Sequence, residues 1–198
     1  LTMDGQQTEG NELITVGENG NYTGQVTLGS GFRLTGAQAT DASGDANGIR
    51  VYGTLVMEDG AEITGNGNGS AVNIDAKGTL HLKGGKISGN TGYSLYLDTY
   101  LTTGGAVQDK ATVTVDNALP AGSAFDMLLY DYAKEWNTVA SGAESVITVG
   151  GSYTAFTDAD FSRFNLKWVG ISGGSIIGTG FALQLSTDRK TIRLVATP

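Results

Sequence analysis

Cysteine is absent from the 198 residues, which removes disulfides, thiolate metal sites and thiol nucleophiles together. Histidine occurs once, as His81, so paired-imidazole zinc sites and nucleophile–histidine triads lack partners for it. By alternation His81 points outward between Leu80 and Leu82, as an ordinary surface residue. Positive charge is scarce: 12 Lys and Arg against 20 Asp and Glu give a formal charge of −8. Repulsion from phosphate therefore argues against nucleic acid and against an anionic membrane surface as partners. No apolar run approaches the roughly 18 residues of a spanning helix, which excludes insertion by that route. Leu1 is not an initiator and no leader precedes it, so the chain reads as a fragment of a larger protein.

Glycine is abundant, with 31 residues, roughly twice its usual share of about 7%. No Gly-X-Y period accompanies it, and 39% apolar residues is too many for a disordered chain. Short β-rich runs separated by tight glycine turns fit this composition.

A repeat organises those runs. Apolar pairs separated by one residue fall at Val26/Leu28, Ile49/Val51, Val72/Ile74 and Leu95/Leu97, each 23 residues after the last. Val113/Val115 reads as a fifth copy after a shortened interval of 18. Two-residue spacing puts both members on one face of a strand. A second strand follows at Phe32/Leu34, Leu55/Met57 and Leu80/Leu82, and a third begins at Gly36, Gly60 and Gly84, spaced by 24, with a looser copy at Gly104.

Three short strands per coil of about 23 residues predict an all-β fold, a right-handed single-stranded parallel β-helix with a C-terminal β-rich cap. One repeat cannot bury its own apolar face, whereas stacked repeats form a continuous core. An antiparallel sandwich is the alternative, but it would not require equivalent residues at a constant long period. The expected organisation is one domain over 1–198: an N-terminal lead-in and cap at 1–25, regular coils at 26–118, and irregular last coils with the cap at 119–198. Asn66 and Asn90 fall at equivalent corners, where asparagine tolerates left-handed backbone angles and stacked amides can form a ladder. In the cap, Phe125–Tyr132, Ser145–Val149, Ala182–Leu185 and Thr191–Val195 read as strands, Gly170–Gly180 as a turn region, and Thr157–Phe164 as a capped helical turn.

The segments GTLVMEDGAEITGN and GTLHLKGGKISGN, with the ending YTAFTDADFSRFNL…FALQLSTDRKTIRL, resemble the repeats and closing segment of adhesin-like parallel β-helix proteins of bacterial surfaces, especially of gut Firmicutes. The resemblance covers most of residues 26–198. It implies an extracellular, cell-surface or secreted location and carries no catalytic residue with it.

Outward positions of the first strand form two columns, Thr27, Arg50, Asn73, Tyr96 and Gly29, Tyr52, Asp75, Asp98. They resemble the outer strand face on which polysaccharide lyases and hydrolases of this fold place their clefts. Arg50, Tyr52, Asn73, Asp75, Tyr96 and Asp98 are accordingly the candidate ligand-binding residues, since rings, amides and carboxylates suit sugar faces and hydroxyls. Asp75 and Asp98 on adjacent coils approach the spacing of paired glycosidase carboxylates. Their mutual repulsion calls for Arg50 or a cation nearby. A solvated polar face, needed outside any such fold, would have the same composition. The run Asp41-Ala-Ser-Gly-Asp-Ala-Asn-Gly48 places Asp41, Asp45 and Asn47 at spacings found in calcium loops, although it lacks the glycine and distal glutamate of an EF-hand. Asx-rich turns have this composition too. Glu58 and Lys83 are expected to face each other on adjacent coils.

Three functions remain open. The leading one is a non-enzymatic adhesion, binding or display module, with a host or environmental glycan or protein as ligand and other domains of the same polypeptide as neighbours. A polysaccharide lyase or hydrolase using the carboxylate column is the second, and a purely structural spacer the third.

Overall fold

A computed structural model describes residues 1–5, 12–37, 47–67, 69–101, 107–131, 144–171, 175–177 and 180–197. Strands dominate, and the chain visits three sheets in rotation. β1 (Thr2–Asp4), β4 (Arg33–Thr35), β7 (Glu62–Thr64) and β10 (Lys86–Ser88) form the first sheet. The second runs from β2 (Glu12–Val16) through β5 (Asn47–Val51), β8 (Ser70–Ile74), β11 (Tyr93–Leu101), β14 (Phe125–Asp131) and β16 (Phe164–Ile171) to β17 (Ser175–Ile177). The third runs from β3 (Gln25–Leu28) through β6 (Thr54–Glu58), β9 (Thr79–Lys83), β13 (Thr112–Val115), β15 (Glu144–Val149) and β19 (Thr191–Ala196) to β18 (Phe181–Leu185). β12 (Val107–Lys110) pairs antiparallel with the end of β11.

Pairing is parallel through the body of all three sheets and antiparallel where the second and third finish, at β16–β17 and β15–β19–β18. Each ladder stacks like on like. The inward columns of the second sheet are Ile14, Ile49, Val72, Leu95, Met127 and Val16, Val51, Ile74, Leu97, Leu129. The third sheet stacks Val26, Leu55, Leu80, Val113, Ile147 and Leu28, Met57, Leu82, Val115, Val149. Leu34, Ile63 and Ile87 stack in the first. These columns join one apolar cluster running from Val16 to Leu194. Each large side chain it encloses contributes roughly 1.5–3 kcal/mol by leaving water.

The register differs from the sequence reading at its first turn. Val26/Leu28 belong to the third sheet, under Leu55/Met57, and not beneath Ile49/Val51. The true predecessor of Ile49 is Ile14, 35 residues earlier. Leu34 likewise sits in the first sheet beneath Ile63, so the glycine opening that strand's equivalent is Gly31 rather than Gly36. Val113/Val115 continue the third sheet over Leu80/Leu82. The cause is uneven turns: an apolar-x-apolar pair marks an inward strand without saying which face it belongs to. Residues 1–25 are correspondingly more than a lead-in, since β1 and β2 already pair into the ladders. Gly104 lies outside the described residues.

The corners after the first-sheet strands are turned by glycine. Gly36, Gly65 and Gly89 have φ of 76°, 69° and 63°, which a side chain would oppose. Asn66 and Asn90 follow them with ordinary angles, so the left-handed position is the glycine's and not the asparagine's. The amide ladder is present: Asn66 donates from both its backbone and its side-chain nitrogen to Asn90 Oδ1, each at 3.0 Å, and Asn66 Oδ1 accepts from Ala37 N at 3.0 Å.

Beyond β13 the chain adds β14 and β16 to the second sheet and β15 to the third. The helical turn α1 (Asp158–Phe161) carries a reciprocal capping box between Thr157 and Asp160. The β18–β19 hairpin forms where expected. Residues 170–180 are not only a turn, because β16 reaches Ile171 and β17 folds back on it. Glu58 and Lys83 are register partners, with Nζ 3.7 Å from Oε1.

Candidate functional site: the outer face of the second sheet

Alternation along the second sheet turns Arg50, Asn73, Tyr96, Leu128 and Trp168 to the outside in one register line. Beside it lie Asp75, just past the end of β8, and Asp98, within β11, with Tyr130 the register partner of Asp98. Gly170 follows, and Tyr130 lies against it so closely that a Cβ there would meet the ring at 2.3 Å.

The lower half of this face is an ion-paired cluster. Arg50 Nε donates to Asp75 Oδ2 at 2.9 Å and Arg50 Nη1 to Glu12 Oε1 at 3.2 Å, while its guanidinium carbon lies 5.0 Å from the Tyr52 ring centroid. Burial opposes the arginine's charge, but the hydrogen bonds and attraction of Asp75 and the bond to Glu12 hold it more firmly protonated than usual. Arg50 therefore supplies the offset that stacked carboxylates require.

The carboxylates are less open than an outward column implies. Asn73, Asp75 and Asp98 keep only 8%, 7% and 2% of their exposure. Burial, reinforced by the Asp75 charge, pushes the Asp98 carboxyl up to about 8, against smaller opposing effects of Arg50 and of a hydrogen bond with Tyr96. Asn73 Oδ1 and Asp98 Oδ1 are both buried without a hydrogen-bond partner among the described residues.

The upper half is aromatic. Tyr96 and Tyr130 stack with centroids 6.0 Å apart and planes 21° from parallel. Trp168 is 42% exposed on the same line, beyond the buried Leu128.

Comparison with protein-family models, curated proteins and solved structures finds no match. The site's meaning therefore rests on its own chemistry.

All six sequence-derived candidates lie together: Arg50, Asn73, Asp75, Tyr96 and Asp98 share the outer face and Tyr52 flanks it under Arg50. Thr27 and Gly29 do not belong, because β3 is in the third sheet. Glu12, Tyr130 and Trp168 were not legible as members. Their strands join at intervals of 35 residues before β5, 32 after Leu95, and then across a bulge between Met127 and Leu128. With Phe125–Tyr132 expected as a strand, alternation from Met127 and Leu129 points Tyr130 outward, but alternation does not say onto which sheet.

Of the calcium-loop residues, Asp41 and Asp45 lie outside the described residues. Asn47 is buried at the start of β5, where its Oδ1 accepts from Ser70 Oγ. Among the described residues no group of three or more His, Asp or Glu could hold a metal. His81 is outward as expected and pairs with Asp116, Nδ1 to Oδ2 at 2.9 Å. No described helix is long and apolar enough to cross a membrane.

Proposed function

We propose that the chain is a right-handed parallel β-helix of a bacterial cell-surface or secreted protein, and that it works as a non-enzymatic binding module whose ligand is a glycan. Rotation through three sheets with parallel neighbours supports the helical path, and parallel crossovers are right-handed in about 98% of cases. The resemblance of GTLVMEDGAEITGN and GTLHLKGGKISGN to adhesin-like repeats supports the location.

The observation that carries the binding reading is the aromatic line, Tyr96 stacked on Tyr130 with Trp168 standing exposed beyond them. Rings held on paired strands, Trp168 exposed and Tyr96 and Tyr130 half-buried, make rigid platforms for the apolar faces of sugars, and little entropy is lost when they engage. A formal charge of −8 and the internal pairing of Arg50 favour neutral over acidic glycans.

The enzyme reading draws support from Asp98, whose carboxyl burial pushes up to about 8 beside the Arg50-paired Asp75, since a raised carboxyl is the form a general acid takes. Burial of Asp98 to 2% counts against it, because a general acid must reach the bond it protonates. A neutral-glycan panel assayed for both binding and hydrolysis tests these readings. Binding without turnover, weakened by Trp168→Ala and by Tyr96→Ala, is the expected result. Turnover lost in Asp75→Asn would replace it with the enzyme, and silence on every glycan with the spacer.

A further inference from the structure

We propose that the buried oxygens of Asn73, Asp75 and Asp98 form a binding site for one hard divalent cation of the calcium type. The residues come from two hydrogen-bonded strands. Asn73 is the register partner of Tyr96, and Ile74 of Leu97, so Asp75 and Asp98 follow side by side on strands about 4.8 Å apart. Their side chains all leave the same face of the sheet.

Two observations point to something bound among them. Asn73 Oδ1 and Asp98 Oδ1 are fully buried and accept no hydrogen bond from the described residues, in residues only 8% and 2% exposed. Buried acceptors of this kind are costly unless a positive or donating group meets them. The charge balance agrees. Glu12 and Asp75 share the one guanidinium of the cluster, Arg50, so among the described residues no cation is paired with Asp98. The nearby Lys77 is paired with Asp109 at 3.1 Å. A divalent ion supplies that missing partner, and a donor set of one amide and two carboxylate groups, all oxygen, selects a hard cation over zinc or copper. The site uses none of Asp41, Asp45 and Asn47 and does not depend on the glycan reading.

The test is calorimetry and thermal melting of the full chain, freed of metal by chelator and titrated with CaCl2, MgCl2 or MnCl2 at constant ionic strength. One saturable site per chain with a raised melting temperature is expected. Affinity for such ions is tuned by ligand charge and count, so Asp98→Asn and Asn73→Leu should each weaken it by about tenfold or more. An Asp41→Asn/Asp45→Asn double variant should leave it unchanged. Circular dichroism establishes that each variant is folded; should Asp98→Asn fail to fold, Asn73→Leu decides alone. No saturable binding of any divalent ion would overturn the proposal. So would affinity unchanged in the folded Asp98→Asn and Asn73→Leu variants, affinity lost in the loop variant, or saturation by NaCl or KCl with no divalent effect.

Discussion

Replacing Ile74 with alanine removes three carbons from a side chain with no solvent exposure, held between Val51 and Leu97 in the second sheet. At about 0.8 kcal/mol per group the lost burial alone comes to roughly 2.4 kcal/mol. Ladder neighbours on both sides keep the walls from collapsing, so a cavity term adds to this and places the cost at about 3–4 kcal/mol. That is a large part of the ~5–15 kcal/mol that stabilises a typical folded chain. Val26 supplies the contrast. It is half-buried in β3, which has a ladder neighbour on one side only, and Val26→Ala should cost about 1 kcal/mol or less because its site is already open to solvent. Urea unfolding of the two variants and the parent, followed by circular dichroism with slopes checked for equality, measures both differences. Equal costs at the two positions, or a cost below about 1 kcal/mol for Ile74→Ala, would refute the stacking described here.

Asn90→Ala removes the acceptor for both Asn66 donors and should cost about 1–3 kcal/mol, whereas Asn90→Asp, which keeps an acceptor, should cost less; equal losses would count against the ladder. Gly53→Ala should prevent proper folding, because its Cβ would stand 1.9 Å from Gly24 O; a soluble variant with the parent melting temperature would contradict that contact. Asp160 is buried, which alone would raise its pKa, yet hydrogen bonds from Thr157 and Tyr153 and the charge of Arg163 hold it below its ordinary value. Its stabilisation is therefore complete above about pH 4 and lost as pH falls through the lower folded value, so Asp160→Asn should destabilise at neutral pH and flatten the acid limb of the stability curve; parallel curves would refute this. Deleting residues 119–198 strips β14 from β11 and β15 from β13, and the exposed edges should aggregate, a result that a monodisperse fragment in light scattering would overturn.

Much of the fold was legible because Ile49, Val72 and Leu95 recur at a constant interval, and their stacking is what that interval means. Val26 lies at the same interval by coincidence. It reached the wrong sheet because β2 and β5 are separated by 35 residues that include a turn through β3 and β4. Alternation placed Arg50, Asn73, Asp75, Tyr96 and Asp98 on one face correctly, since period two is a property of the strand itself. It could not report their burial, which depends on what lies over the face. Nor could it bring in Trp168, whose strand joins across a bulge that resets the alternation.

The direction of the backbone hydrogen bonds gives this molecule a mechanical character. They run from strand to strand along the stack, with β1 at one end and β18–β19 at the other. Tension between Leu1 and Thr197 thus pulls along those bonds and loads them a layer at a time, peeling terminal strands successively. Tension across the stack would shear whole ladders at once. The chain should be compliant when drawn end to end and stiff when pushed from the side.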